Sequence, residues 1–275
     1  SLNKLLSIID KTLKKSKVQL TTLIINDGST DKPVLYTNKF KNIKKIFLIN
    51  LKENLGSQKA IFIGLKYLQN QIKNKHSSSI ISVMDSDGED NPKKLTKLII
   101  TASQNPNHIV FAARSKRTES LFLKILNTIR LTFTYILTGF FINFGNYSSF
   151  SIKNLKKVLS NNNLFIAYSS GVLKNCQNIF FVKVSKNKRY FGSSKVNFNF
   201  LISHSIGIIA VFYKKVFLRT LVIALVLILI VGNLNFKILI VIIFSFLNLN
   251  LLLYYKFSQP KKNFSYYIKD DLRIK

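Results

Sequence analysis

The sequence predicts an α/β domain that is followed by a pair of membrane-spanning helices. Through roughly the first two hundred residues, β-branched runs typical of strands alternate with segments whose apolar residues recur at helical spacing. From residue 216 onward, the chain instead carries two long apolar stretches. Polar side chains follow several of the predicted strands, at the sheet edge where open α/β sheets bind their ligands. Together these observations predict a ligand-binding domain anchored to a membrane.

The composition favours a membrane over a nucleic acid as the partner. The 275 residues include 42 Lys and Arg but only 11 Asp and Glu, which gives a formal net charge of +31. However, 47% of the residues are hydrophobic, which is too many for a basic soluble module that binds nucleic acid. Lys and Arg beside apolar spans are retained on the anionic cytoplasmic face, which explains both properties. A single cysteine, Cys176, excludes an internal disulfide and a cysteine-based zinc cluster.

The predicted strands end in polar or turn-forming residues. An amphipathic helix is expected over residues 1–17, and strands are expected over 18–26, 44–50, 79–87 and 108–114. Helical spacing follows the second strand from Asn54, and a further helix with Pro92 in its first turn follows the third. The residues at the strand ends are Asp27, Asn50, Asp85 with Asp87, and Arg114. We expect them to converge at one edge of the sheet.

Four of the eleven acidic residues are crowded into the six positions "DSDGED", as Asp85, Asp87, Glu89 and Asp90. Acids this close repel one another unless a positive charge lies among them. Asp85 and Asp87 are two positions apart after an apolar strand, so both can face one hard cation such as Mg²⁺ or Mn²⁺. A solvated acidic turn is the alternative. An EF-hand loop does not fit, because its sixth position would be Asp90 instead of glycine.

Two apolar runs near the C-terminus have the length of membrane spans. Residues 216–236 and 238–255 are each about as long as the 18 to 20 residues that cross a hydrocarbon core. Lysines lie on both flanks of the pair, so the positive-inside rule places both flanks in the cytoplasm. Buried helices of a soluble protein are the alternative. The expected order is a catalytic domain over 1–200, a juxtamembrane segment over 201–215, a transmembrane hairpin over 216–256 and a basic cytoplasmic tail over 257–275.

Residues 121–144 form another apolar segment, but polar residues interrupt it. They include Lys124, Asn127 and Arg130. We therefore expect an amphipathic element at a membrane surface instead of a span, with a buried core helix as the alternative.

Six motifs follow one another in a characteristic order, namely "LIINDGSTD", "NLGSQKAIFIGL", "VMDSDGEDNP", "FAARSKR", "FGNYSSFS" and "RYFGSSKVNF". Together they resemble the inverting GT-A glycosyltransferases of family 2, in particular membrane-anchored members similar to dolichyl-phosphate mannose synthase and bacterial polyprenyl-phosphate glycosyltransferases. The resemblance implies a Rossmann-like nucleotide-sugar-binding domain. The family's first strand and its loop would precede Ser1, so the domain is expected to be incomplete at its N-terminus, as a fragment or an inactive relative.

The resemblance also implies roles for individual residues. Donor binding is expected from Asp27, Gly28, Ser29, Asn54, Gly56 and Asp85, with Asp27 on the base or ribose. A Mg²⁺ or Mn²⁺ ion is expected on Asp85 and Asp87, with Glu89 as a third ligand. Acceptor or phosphate binding is expected from Arg117, Asn146, Arg189, Ser194 and Lys195. The catalytic residues are expected to be Asp87, Asp90 and Arg114.

The expected reaction transfers a sugar from a UDP- or GDP-sugar to a polyprenyl phosphate or another lipid-linked acceptor. A metal ion with Arg114 and Arg189 would neutralise the departing diphosphate. A phosphate acceptor needs no strong base, whereas a hydroxyl acceptor needs one, with Asp90 as first candidate and Glu89 behind it. The alternatives are a transferase acting on a glycan or glycolipid hydroxyl in cell-surface polysaccharide synthesis, and an inactive membrane-tethered relative. A homo-oligomer is also left open.

Overall fold

The computed structural model describes residues 2–14, 16, 18–29, 40–72, 78–114, 121–185, 187, 189–191 and 198–275. Three residues with a predicted role, Arg117, Ser194 and Lys195, lie outside these ranges. Within them the chain forms two β-sheets that are flanked by helices. The predicted α/β class is confirmed, with both parallel and antiparallel strand pairs.

The first sheet has the strand order β1-β2-β7. Strand β1 spans Leu20–Asn26 and pairs in parallel with β2, which spans Ile43–Leu51. Strand β7 spans Ile268–Arg273 and pairs antiparallel with β2. The segment predicted as a basic cytoplasmic tail therefore returns to the domain and supplies one of its strands.

The second sheet has the strand order β3-β5-β4-β6. Its strands are β3 (Ile80–Val83), β4 (Ile109–Arg114), β5 (Ser148–Ser151) and β6 (Ile179–Val184). Strand β5 lies antiparallel between β3 and β4, while β4 and β6 are parallel. The strand expected over 79–87 is too long in the prediction, because pairing stops at Val83 and the acidic residues follow in a loop.

Helices connect and cover the strands. They are α1 (Leu2–Leu13), α2 (Ser57–Gln71), α3 (Leu95–Gln104), α4 (Leu121–Thr138), α5 (Leu155–Val158), α6 (Asn163–Ile166), α7 (Tyr168–Asn175), α8 (Phe198–Ala210), α9 (Tyr213–Ile230) and α10 (Leu234–Phe257). Short 3₁₀ turns lie at Pro92–Lys94, Ile152–Asn154 and Phe264–Tyr267. The turn at Pro92 leads directly into α3, and the side chain of Asn91 accepts the N–H of Lys93 at 3.1 Å as its cap.

One hydrophobic core joins the two sheets. Ile63 of α2 packs in it with Ile49 of β2 and with Phe111 and Phe150 of the second sheet. Helix α1 packs against both sheets elsewhere, since Ile9 contacts a cluster around β4 and Leu6 contacts a cluster around β2. Burial of these apolar side chains is what holds the two sheets together.

Asp10 fastens α1 to the chain just before β2. Its buried carboxylate accepts the backbone N–H groups of Lys41, Asn42 and Ile43 at 3.2, 2.6 and 3.0 Å. Burial alone would raise the pKa of Asp10, but these backbone hydrogen bonds bring the net pKa below its ordinary value. The ionised acid is therefore a structural residue that satisfies three backbone donors.

The C-terminal helices α9 and α10 pack side by side and leave most of their apolar surface exposed. Asn248 of α10 donates a hydrogen bond to the hydroxyl of Thr220 in α9 at 2.9 Å. Within the described part of the chain, α10 is the one helix long and apolar enough to cross a membrane. Helix α9 is not apolar enough, because the charged residues Lys214, Lys215 and Arg219 interrupt its first half. The structure thus supports one of the two predicted spans.

Helix α4 corresponds to the predicted amphipathic element. It packs on α8 and α9 and buries Leu131 and Thr134. Its opposite side exposes large apolar side chains, such as those of Ile125 and Phe133, which are 60% and 61% exposed. The alternative of a helix buried in the core does not hold.

Candidate functional site

The acid loop, which we define as residues 84–91, connects β3 to the 3₁₀ turn before α3. The N–H of Asp85 donates to Oδ2 of Asp90 at 3.0 Å, and the N–H of Glu89 donates to Oδ1 of Asp87 at 2.9 Å. Gly88 has a φ of +90°, which other residues rarely adopt. Two carboxylates of the loop therefore accept backbone N–H groups of the same loop.

Arg189 supplies the positive charge that the acid cluster requires. Its Nη2 lies 3.1 Å from Oδ2 of Asp87, and its Nε lies 3.0 Å from Oε1 of Glu89. The hydrogen bond to Glu89, with the nearby negative charges of Asp87, Glu89 and Asp85, raises the pKa of Arg189. Hydrogen bonds between a guanidinium and carboxylates are strong because both partners are charged, and the planar guanidinium fixes their direction. It relieves the repulsion between these two acids without a metal ion.

The backbone after β6 also packs on the acid loop. The N–H of Asn187 donates to the carbonyl of Glu89, and the N–H of Tyr190 donates to the carbonyl of Asp87, both at 3.0 Å. A side chain at Gly88 would come within 2.5 Å of the Tyr190 ring. The close approach explains the glycine, and it brings Arg189 to the acids.

The donor set limits what metal this loop can hold. Within the described residues, no group of three His, Cys, Asp or Glu side chains is arranged around a common point. Arg189 contacts both Asp87 and Glu89, so a metal ion on either carboxylate would share it with the guanidinium, and the role of Glu89 as third ligand stays a prediction. Mg²⁺ is commonly held by one or two carboxylates plus substrate phosphates and water. The acid loop fits that mode of binding, and the ligands Asp85 and Asp87 stay a prediction.

A cavity of about 20 Å³ adjoins the acid loop and is lined by Asp90, Asn91 and Tyr147 among others. This volume holds about one water molecule. The hydroxyl of Tyr147 donates to the carbonyl of Asn91 at 3.1 Å, and burial, with the charge of Asp90, raises the pKa of Tyr147. Asp90 therefore lies close to the buried hydroxyl of Tyr147.

Residues 26–29 form the turn after β1 that the family resemblance assigns to nucleotide binding, and we refer to it as the nucleotide turn. The carboxylate of Asp27 accepts the N–H groups of Leu55 and Gly56 at 2.7 and 2.9 Å, just before α2. Gly28 has a φ of +66°, and a side chain there would lie 2.7 Å from the N atom of Asn54. The structure thus brings Asp27, Gly28, Asn54 and Gly56 together, as expected. The predicted contact of Asp27 with a base or ribose stays a prediction.

The other predicted residues have different surroundings. Oδ1 of Asn146 accepts from Nε2 of Gln58 at 3.3 Å, and Oε1 of Gln58 accepts the N–H of Tyr168 at 2.6 Å. Arg114 is the last residue of β4. The local sequence did not indicate roles for Gln58 and Tyr147, although both lie inside the quoted motifs. Nothing in the local sequence of the tail indicates that Asp270 belongs to a strand, and β7 was therefore not predicted.

The sequence profile described as "Glycosyl transferase family 2" matches residues 2–169. The match covers more than half of the chain and includes the nucleotide turn and the acid loop, whereas Arg189 and β7 lie beyond it. No curated protein matches the sequence. The chain belongs to glycosyl transferase family 2.

Proposed function

We propose that the protein is an inverting GT-A glycosyltransferase that moves a sugar from a UDP- or GDP-sugar to a polyprenyl phosphate at a membrane surface. Family membership supplies the general activity, a nucleotide-sugar donor and an acceptor. The observation that carries the proposal is the acid loop, whose Asp87 and Glu89 lie against Arg189. Charged groups of both signs at one loop suit a reaction in which a diphosphate departs.

The residues of the acid loop would act on the charge of the leaving group. Asp85 and Asp87 would hold a Mg²⁺ or Mn²⁺ ion, which supplies positive charge to the diphosphate when bound. The guanidinium of Arg189 is held beside them by two carboxylates, and it can turn one N–H toward a phosphate oxygen. Arg114, at the end of β4, is the second candidate for this contact.

The connections of α9 and α10 support a membrane hairpin. The segment before α9 packs in a buried cluster that includes Val211 and Phe212, and the segment after α10 ends as β7 in the first sheet. Both ends of the helix pair therefore return to the same domain. If the pair enters a bilayer, it enters and leaves on one side. With the basic flanks, this supports an integral plasma-membrane protein whose domain and both termini are cytoplasmic.

A basic cavity at the start of α9 also suits a membrane surface. It measures about 300 Å³ and is lined by Lys174, Lys214 and Lys215 together with Phe140 and Phe212. Burial, with the charge of Lys214, lowers the pKa of Lys174. Anionic lipid headgroups would compensate this concentration of positive charge.

We expect the membrane anchor to depend on α10. Replacing both Ile242 and Ile243, which are more than half exposed, with arginine should release the protein into the alkaline-carbonate extract, because each arginine costs about 3 kcal/mol at a bilayer centre. The control is Ile100→Arg on α3, an exposed isoleucine of the sheet domain. In the unmodified chain, reporters fused at Ser1 and Lys275 should both be cytoplasmic. Reporters on opposite sides would contradict the hairpin.

The acceptor can be tested with Asp90→Asn. For a lipid phosphate we expect a loss of less than about tenfold, because the attacking oxygen is already anionic and asparagine can still accept the N–H of Asp85. A hydroxyl acceptor would instead make the loss about 10² to 10⁴. The assay uses the full chain in nanodiscs, a panel of radiolabelled nucleotide sugars, and undecaprenyl phosphate or a glycan. Transfer to glycan without any acid-labile lipid-linked sugar would reject the lipid acceptor, and absence of nucleotide binding would indicate an inactive relative.

A further inference from the structure

A continuous chain of side-chain hydrogen bonds joins the C-terminal strand to the nucleotide turn. Asn26, Asn50 and Asp270 lie side by side across β1, β2 and β7. Nδ2 of Asn50 donates to Oδ1 of Asp270 at 2.6 Å, and Nδ2 of Asn26 donates to Oδ1 of Asn50 at 2.7 Å. The N–H of Ser29 then donates to Oδ1 of Asn26 at 3.1 Å. This series of hydrogen bonds therefore ends inside the nucleotide turn.

The two ends of this chain determine the orientation of both amides between them. An ionised carboxylate can only accept, and a backbone N–H can only donate. Asn50 must therefore turn its NH₂ group toward Asp270 and its oxygen toward Asn26. Asn26 must in turn present its oxygen to Ser29. Without Asp270, either amide could rotate, and the hydrogen bond to Ser29 would no longer be imposed.

We propose that Asp270 is a positioning residue for the donor site, which acts through Asn50 and Asn26 on the nucleotide turn. The segment that follows the apolar helix α10 thus takes part in shaping the donor site, although it lies outside the matched family region. This inference rests on the proposed function only in so far as the turn binds the nucleotide. The ordering of the turn is a property of the free protein, and it can be measured without any substrate.

The first test is hydrogen exchange of the full chain in detergent. Asp270→Ala should speed hydrogen exchange in the peptide covering residues 26–29 by about tenfold or more. The reason is that the hydrogen bond from the N–H of Ser29 to Asn26 is then no longer held in place. Asn26→Ala should have the same effect. Hydrogen exchange in the double variant should be no faster than in either single variant, because both substitutions break the same series of hydrogen bonds. The control is Asp271→Ala, which removes the hydrogen bond from the Tyr67 hydroxyl to the same strand. Unchanged exchange in Asp270→Ala, or additive effects, would overturn the proposal.

The second test exchanges the two partners. Asn50→Asp alone places two carboxylates in contact and should disrupt the turn most. Combined with Asp270→Asn it should restore slow exchange, because a carboxylate at position 50 can accept both from the new amide at position 270 and from the side chain of Asn26. In the transfer assay, Asp270→Ala should raise the KM for the nucleotide sugar about tenfold with little change in kcat, and the exchanged pair should recover it. Failure of the exchanged pair to recover slow exchange would refute the positioning role even if sugar transfer is absent. If the variants show the expected changes in hydrogen exchange but the unmodified protein transfers no sugar, only the proposed function is contradicted.

Discussion

Asp87→Ala is expected to lower sugar transfer by about 10²- to 10³-fold and to abolish metal-dependent nucleotide binding, because it removes a carboxylate from the site of charge development. In the structure, Oδ1 of this residue accepts the N–H of Glu89, and Oδ2 faces Arg189. The fold should survive, since Asp87 lies in a loop beyond the end of β3 at Val83. Calorimetry with Mg²⁺ or Mn²⁺ and UDP or GDP measures the binding, and the transfer assay measures the rate.

Ser86→Ala is the matched control for this change, because Ser86 is an exposed neighbour in the same loop. Its binding and transfer should resemble those of the unmodified protein. If Asp87→Ala retains the full metal-dependent affinity for the nucleotide, the metal assignment is wrong. A loss of transfer with intact metal dependence would then indicate that Asp87 acts by holding Arg189.

Arg189→Ala is expected to reduce transfer by about 10²-fold, with a smaller loss for Arg189→Lys. Alanine leaves Asp87 and Glu89 without the cation that both contact, so their repulsion should open the acid loop. Lysine restores the charge, but its compact ammonium does not reproduce the planar fork that faces two carboxylates. The measurement is the rate of transfer at saturating donor, together with the thermal midpoint in detergent.

Two further variants separate the charge pair from general disturbance of the region. Lys4→Gln removes a cation that lies 4.8 Å from the ring centre of Tyr190 but contacts neither acid in the described hydrogen bonds and ion pairs. It should leave transfer nearly unchanged. Glu89→Gln keeps an oxygen that can accept from Arg189, so its loss should be smaller than that of Arg189→Ala. Equal losses for Lys4→Gln and Arg189→Ala would contradict a specific role of the ion pairs.

Local sequence predicted four of the strands that consist of apolar, β-branched runs, but not β6, whose sequence "IFFVKV" is of the same kind. The segments expected over 18–26, 44–50 and 108–114 correspond to β1, β2 and β4 within a few residues. The third strand was predicted too long because an apolar run continues to Met84, whereas backbone pairing with β5 ends at Val83. Strand β5 itself consists of "SSFS", whose polar residues are buried by tertiary contacts and carry no strand signal.

The structure brings together those predicted site residues that are close in sequence or at the ends of adjacent strands. Asp27 and Gly56 meet because β1 and β2 are parallel neighbours, which places the loops after them at one edge. The sequence also indicated that the acids need a positive charge. It assigned that charge to a metal ion, since Arg189 is a hundred positions from Glu89 and nothing local connects them.

The sequence by itself determined the family, the alternation of strands and helices, the polar strand ends and the apolar helix α10, because each depends on local periodicity or on motifs in order. Only the tertiary structure decided that Arg189 pairs with the acid loop, that the tail forms β7, and that Asp270 reaches Asn50 across 220 positions. Such contacts depend on the path that the chain takes between distant segments. Their free energy comes from charges and hydrogen bonds that meet only after folding, so they leave no periodic pattern in the sequence.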